Sequence, residues 1–204
     1  PLGAIESFLN LMAAKMVGGR PSDPAQFQAY FDRIKTNVGR LSGFINDLLD
    51  VAKIERGKME CTLRTMRLQD MASEVVQFFE AKAKEQGVTL QTRLDPNLGT
   101  VNGDPERLRQ VVVNLVSNAL KFTPKGGSIW VQAEQFREGG QKWVEVSVVD
   151  TGKGMDEEDQ KRLFQKFAQG KNTNDRVSGH RGTGLGLVIV KSIVEAHGGK
   201  VAVK

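Results

Sequence analysis

From Phe31 to Ala52 the apolar residues Phe31, Ile34, Val38, Leu41, Ile45, Leu48 and Ala52 follow one another at alternating steps of three and four. That is an unbroken heptad seam, and only a long helix with one apolar side satisfies it. Phe44 and Leu49 widen the stripe to what a four-helix core uses. Asp23 ahead of Pro24 marks a helix start and Arg56-Gly57 a stop, so the helix runs roughly 50 Å at about 1.5 Å per residue. Leu2, Ile5, Leu9, Met12 and Met16 predict a shorter first helix of the same period, with residues 17–22 as the turn between them. Two such helices cannot bury a wide apolar face alone. A second copy completing a four-helix bundle is the simplest partner; packing of the hairpin on the rest of the chain is the alternative.

A different kind of helix is indicated by the run Val111–Leu120. Asn114, Asn118 and Lys121 fall on one face with Gln110 a turn before them, while Leu108, Val111, Val112, Leu115 and Ala119 gather on another and read as core. Amides left unpaired on a mostly buried helix cost about 1–3 kcal/mol each, so the polar stripe calls for a ligand unless it simply faces water. Amide oxygens suit a hard cation, and a lysine at the end of the stripe suits a phosphate. Gly103-Asp104-Pro105 opens this helix: Asp104 as the capping carboxylate, proline at the first helical position, Glu106 favourable to the dipole in the first turn.

Two glycine-rich segments come later. Residues 143–150 alternate as a strand and end in Asp150-Thr-Gly152-Lys-Gly154-Met155. A carboxylate next to two glycines can face a flat ligand closely. Because it only accepts hydrogen bonds, it selects a base edge that donates, such as the adenine amino group, over guanine. Alone, the pattern is as readily a plain turn. Arg181-Gly182-Thr183-Gly184-Leu185-Gly186-Leu187 leads into an apolar helix that closes at His197-Gly198. Glycines at a helix start expose backbone N–H groups that favour phosphate. The segment is neither a dinucleotide fingerprint nor a Walker A loop, since no strand precedes it and no Gly-Lys-Ser/Thr comes after it. By itself it is equally a flexible loop before a core helix.

In this order and spacing, the Asn-x-x-x-Asn helix, the Asp-x-Gly-x-Gly turn and the Gly-x-Gly-x-Gly helix start resemble the N box and the two glycine boxes of sensor histidine kinases. Phe164-Gln-Lys-Phe167 resembles that family's F box, Phe44–Glu55 the end of its second dimerisation helix, and Val101–Gln110 the entry to its N box. The resemblance covers essentially the whole chain. It implies an α+β architecture: a long antiparallel helical hairpin over residues 1–58, a dimeric four-helix bundle, and then, over residues 59–204, the two-layer sandwich of the GHKL ATP-binding domain. It implies ATP and Mg²⁺ as cofactors, with Asp150 on adenine, Asn118 on the metal, Asn114 and Lys121 on the phosphates, and Gly182, Gly184 and Gly186 as their cradle. Phe122, Gly152, Gly154, Met155, Phe167, Arg181, Thr183 and Leu185 complete the nucleotide site. Asn114, Asn118 and Lys121 are the implied catalytic set. The γ-phosphoryl would pass to a histidine, and then to an aspartate on the receiver domain of a response regulator, under control of an upstream sensor domain. The family's acceptor lies in a His-Glu-x-x-x-Pro motif. Pro1–Ile5 resembles the residues just after that motif, so the acceptor is expected five positions before Pro1, and His180 and His197 are not read as acceptors. Val201–Val203 is read as a strand start, and the chain as a fragment of a longer polypeptide. ATPase clamps of the gyrase, chaperone and mismatch-repair type share the fold but place a glutamate base where Asn114 stands; a non-catalytic nucleotide-binding scaffold is the other alternative.

The remaining features fit. A net charge of +5, spread without a basic block, does not indicate nucleic acid. One cysteine, Cys61, excludes an internal disulfide and suits a reducing cytoplasm. No stretch is apolar enough to span a membrane, although upstream segments often tether such kinases to one. Between the hairpin and the sandwich the boundary falls near residues 57–68. Short strands are expected near residues 59–63 and at 88–94, a helix near 69–86, and a hairpin of 128–136 with 143–149 across residues 137–140. The polar stretch 168–181 reads as a lid, a binding loop or a disordered connection based on Phe164 and Phe167. Of Lys171, Arg176 and Arg181, Arg181 is the favoured phosphate contact because it adjoins the glycines, and the others read as readily as solvated cations.

Overall fold

The computed structural model describes residues 1–17, 20–21, 23–57, 59–168 and 183–204. By their contacts they form two compact units, Pro1–Ala52 and Lys53–Lys204. Two helices dominate the first unit: α1 (Leu2–Ala14) and α2 (Pro24–Glu55). Asp23 caps α2 as its position suggests, Oδ1 accepting from the N–H groups of Ala25 and Gln26 at 3.0 and 3.2 Å. The ring of Phe8 on α1 meets that of Tyr30 on α2 with centroids 5.8 Å apart, and Lys15 donates to the Gln26 side chain. α1 stops short of Met16. There β1 (Met16–Val17) pairs antiparallel with β2 (Arg20–Pro21), since a residue before proline is driven to extended backbone. Along α2 the heptad seam lies open in the single chain: Phe31, Val38, Ile45 and Leu48 are all exposed, Phe31 by 55%.

In the second unit β3 (Arg64–Met66) pairs with β5 (Val101–Gly103), and a sheet in the order β4-β6-β7 is built from Thr89–Leu94, Ser128–Glu138 and Gln141–Asp150. β4 runs parallel to β6, and β6 returns into β7 as an antiparallel hairpin whose ends, Glu138 and Gln141, are partners. The helices α3 (Leu68–Gln86) and α4 (Pro105–Phe122) cover one face of this sheet. Against α4 packs α6 (Gly186–Ala196), and α5 (Glu157–Arg162) lies between β7 and α6 in the chain. The core interleaves Met71, Val75 and Phe79 of α3 with Val112, Val116 and Leu120 of α4 and Ile129 and Val131 of β6. Val116 is fully buried, and with Leu120 it extends the core face of α4 beyond the residues that spacing singled out.

Three expectations shift. The strand placed at residues 59–63 forms instead at Arg64–Met66. The N–H of Thr62 is taken by Asp104 Oδ2 at 2.8 Å, so the ladder to β5 begins two residues later. Residues 201–204 are not a strand; a ladder needs a neighbour to supply its hydrogen bonds, whereas this end is tied to β7 through the side chains of Lys204 and Glu145 at 3.6 Å. The hairpin strands are longer than their apolar alternation, leaving only Gly139-Gly140 as the turn.

Candidate functional site

The polar helix is held at both ends. Asp104 caps α4, its Oδ1 accepting from the N–H groups of Glu106 and Arg107, both at 3.1 Å. Partial burial pushes the Asp104 carboxyl up, but the N–H donors of Thr62, Arg107 and Glu106, together with the Arg107 charge, outweigh it and hold the group below the usual carboxylate range. The backbone N–H of Asp104 in turn donates to His197 Nε2 at 2.9 Å, and the other ring nitrogen, Nδ1, lies 2.7 Å from the Ile193 carbonyl. That fixes the neutral tautomer with its proton on Nδ1. His197 is therefore not a surface feature of a helix end, as its position suggested, but a bolt joining the end of α6 to the start of α4. His180 lies outside the described residues.

Along α4 the stripe is as spaced: Gln110, Asn114, Asn118 and Lys121 are each half-buried. Asn114 meets the glycine-rich helix start directly, with Nδ2 3.4 Å from the Gly186 carbonyl. At the far end Phe122 meets the other glycine turn. A Cβ on Gly152 would lie 2.8 Å from the Phe122 carbonyl oxygen and 2.6 Å from Asp150 Oδ1, so only glycine lets β7's exit approach α4 this closely. Asp150 Oδ1 accepts from the Gly152 N–H at 2.8 Å, which sets the turn. Lys121 Nζ sits 4.8 Å from the Phe122 ring centroid. Burial, and then the charge of Lys153, holds its ammonium below the usual lysine range.

The F-box segment joins the same group. Phe167 is the one non-glycine residue at positive φ among those described, 59°, and its N–H donates to the Gly184 carbonyl at 3.1 Å. A Cβ on Gly184, whose own φ is 70°, would lie 2.9 Å from Phe167 Cα. Thr183 Oγ1 accepts from the Leu185 N–H at 3.3 Å. The Leu185 side chain is wholly buried, so it belongs to the core and only its main chain is left to face a ligand. Phe122, Met155 and Phe167, by contrast, are exposed large apolar side chains on three segments, Phe167 by 61%. Arg181, Gly182, Lys171 and Arg176, with the rest of stretch 169–182, lie outside the described residues. Sequence reasoning missed Lys153, which reaches the same ring; its signal was its place inside the Asp150–Gly154 turn.

A hydrogen-bonded bridge from Asn114 to Gly186, a glycine contact from Phe122 to Gly152 and another from Phe167 to Gly184 thus unite four motifs spread over more than seventy residues. Residues 103–204, which contain all of them, match the family of histidine kinase-, DNA gyrase B- and HSP90-like ATPases. The chain belongs to that family. It is 37% identical over 199 residues, 98% of this chain, to the non-motile and phage-resistance protein of Caulobacter vibrioides, and 36% identical over 204 residues, the whole chain, to histidine protein kinase DivJ of the same species. The chain spans 23% and 32% of those two proteins. Full-length ShkA in complex with AMPPNP superposes with a TM-score of 0.71 over 97% of this chain and 41% of that one, at 26% identity. Residues 103–204 are a domain of the histidine kinase-type ATPase family, and the α/β fold is that of the family. Among the described residues no helix is long and apolar enough to cross a membrane.

Proposed function

We propose that residues 59–204 bind Mg-ATP and pass its γ-phosphoryl to a histidine on the dimerisation helix, for relay to a receiver-domain aspartate in a two-component pathway. The observation that carries this is the junction of Asn114 with Gly186 and of Phe122 with Gly152, which brings the polar stripe of α4 to both glycine segments. Asp150, with Oδ1 engaged by its own turn, offers Oδ2 to the adenine amino group. Lys121 and Asn114 serve the phosphates, with the N–H groups at the start of α6 as their cradle. Among the described residues no three His, Cys, Asp or Glu side chains gather as a metal cage. The half-buried Asn118 amide instead fits Mg²⁺, which takes one or two protein oxygens and completes its shell with phosphates and water. Bound there, the ion would neutralise charge developing on the transferred phosphoryl. The protein's own contribution is positioning and charge. Asn114 donates its amide to a carbonyl and cannot accept a proton from water, which favours transfer to a protein group over an ATPase clamp. The partnership of kinase and receiver is drawn from the family likeness.

Residues 1–58 are proposed to be the antiparallel dimerisation hairpin. The contacts of Phe8 with Tyr30 and of Lys15 with Gln26 support antiparallel pairing, and the open seam of α2 supports a second copy as its cover.

Calorimetry with Mg-ATP and Mg-GTP tests the nucleotide reading. ATP binds more tightly, and Asp150→Asn removes most of that preference. Equal affinities for the two nucleotides in the wild-type protein would remove Asp150 from the role given to it. In a chain extended through its natural preceding residues, labelled ATP yields an acid-labile, alkali-stable phosphoprotein, and Asn118→Ala abolishes the label.

A further inference from the structure

The Phe122 ring has a second cation. Lys121 Nζ lies 4.8 Å and Lys153 Nζ 5.8 Å from its centroid. Lys153 sits in the turn that Asp150 opens, next to Gly152, whose backbone is packed against the Phe122 carbonyl. The turn cannot swing away from the ring without losing that contact, so Lys153 is held near Lys121 by the main chain as well as by its own reach. An exposed cation is drawn only weakly to a ring face. Two ammonium groups drawn to one ring also repel each other, and the Lys121 proton is loosened first by burial and then by its neighbour's charge. A multiply charged anion placed between them turns that repulsion into attraction for both.

We propose that Lys153 is a specificity-determining residue of the nucleotide site, a second cation that acts with Lys121 across Phe122 to read the charge of the ligand's polyphosphate. This rests on the nucleotide reading given above. The contribution of Lys153 grows with the number of phosphates and is nil for a nucleoside, because it acts on charge. Lys153 is exposed, so its substitution leaves the core intact.

The test is calorimetric titration of the whole chain with Mg-ATP, ADP and adenosine. Lys153→Met keeps the aliphatic stem and removes the charge. It weakens Mg-ATP by about fivefold, the scale of one exposed ionic contact, weakens ADP less and leaves adenosine unchanged. Lys153→Arg restores ATP binding. The ATP difference closes in about 1 M salt, where screening acts within about 3 Å. If ATP and adenosine weaken equally, Lys153 acts through the ring or the base and the proposal is overturned. It is overturned too if Lys153→Met binds ATP as the wild type does. In both of those cases the nucleotide reading stands. A wild-type chain that binds adenosine and ATP with equal affinity contradicts both the proposal and the phosphate roles given to Lys121 and Asn114, and one that binds neither overturns the whole nucleotide reading.

Discussion

At the scale of single residues, Asp104 does more than its position suggested. Its spacing before Pro105 marked a helix cap, and the cap is there. Its second oxygen also holds Thr62, forty-two positions away, which no local pattern announces. Asp104→Ala removes all three acceptances, from Thr62, Glu106 and Arg107, and costs about 1–2 kcal/mol of stability, the upper range for a lost cap. The lowered carboxyl sets the pH dependence. A group whose folded pKa lies below its unfolded value stabilises the fold above that unfolded value, about 3.9, and loses the contribution as pH falls through the folded value. The gap between wild type and Asp104→Ala, measured by urea unfolding, is therefore constant at neutral pH and narrows below about pH 4. A gap independent of pH down to pH 2 would show that the carboxylate charge is not what stabilises the cap. Asn114 stood out from spacing, whereas Phe122 came in only through the family resemblance. Lys153 did not stand out, because its nearness to a ring on another element is a matter of distance, and a glycine-flanked motif gives no sign that the Leu185 side chain turns inward.

At the scale of elements, α3, α4, α6 and the β6–β7 hairpin could be read from period and caps, since each depends on its own neighbours in the chain. β5 and the true start of β3 could not, because their residues become a ladder only by meeting each other across more than thirty positions. The residues of the expected final strand meet no such partner among the described residues. His197 shows the same limit: the His-Gly-Gly ending announced where α6 stops, but not that His197 would accept from the N–H that opens α4. His197→Ala leaves that N–H without its acceptor and costs about 1–3 kcal/mol. A fall in melting temperature, with faster amide exchange at Asp104 than elsewhere in α4, would report it. Uniformly unchanged exchange would mean that water replaces the imidazole without loss.

At the scale of the whole molecule, the seam on α2 leaves a row of apolar side chains exposed. Val38 and Ile45 stay exposed in the single chain, by 46% and 48%, and exposed apolar rows of this length mark an interface. Sedimentation at micromolar concentration should give a dimer mass, and Val38→Asp or Ile45→Asp should give a monomer whose nucleotide affinity is unchanged, since a charge in a bundle core is costly without a partner. A monomeric wild type would show that the seam needs no second copy.

The bridge between Asn114 and Gly186 also governs when the domain can become whole. Those residues are seventy-two positions apart. On a ribosome adding about 5–20 residues per second, roughly 4–14 s separate their synthesis. Through that interval α4 has emerged without the helix that packs on it, its apolar side short of one cover, while α1 and α2 have already been made. A nascent chain therefore carries finished helices ahead of a half-built nucleotide domain, and it is during those seconds that a chaperone has the most to shield.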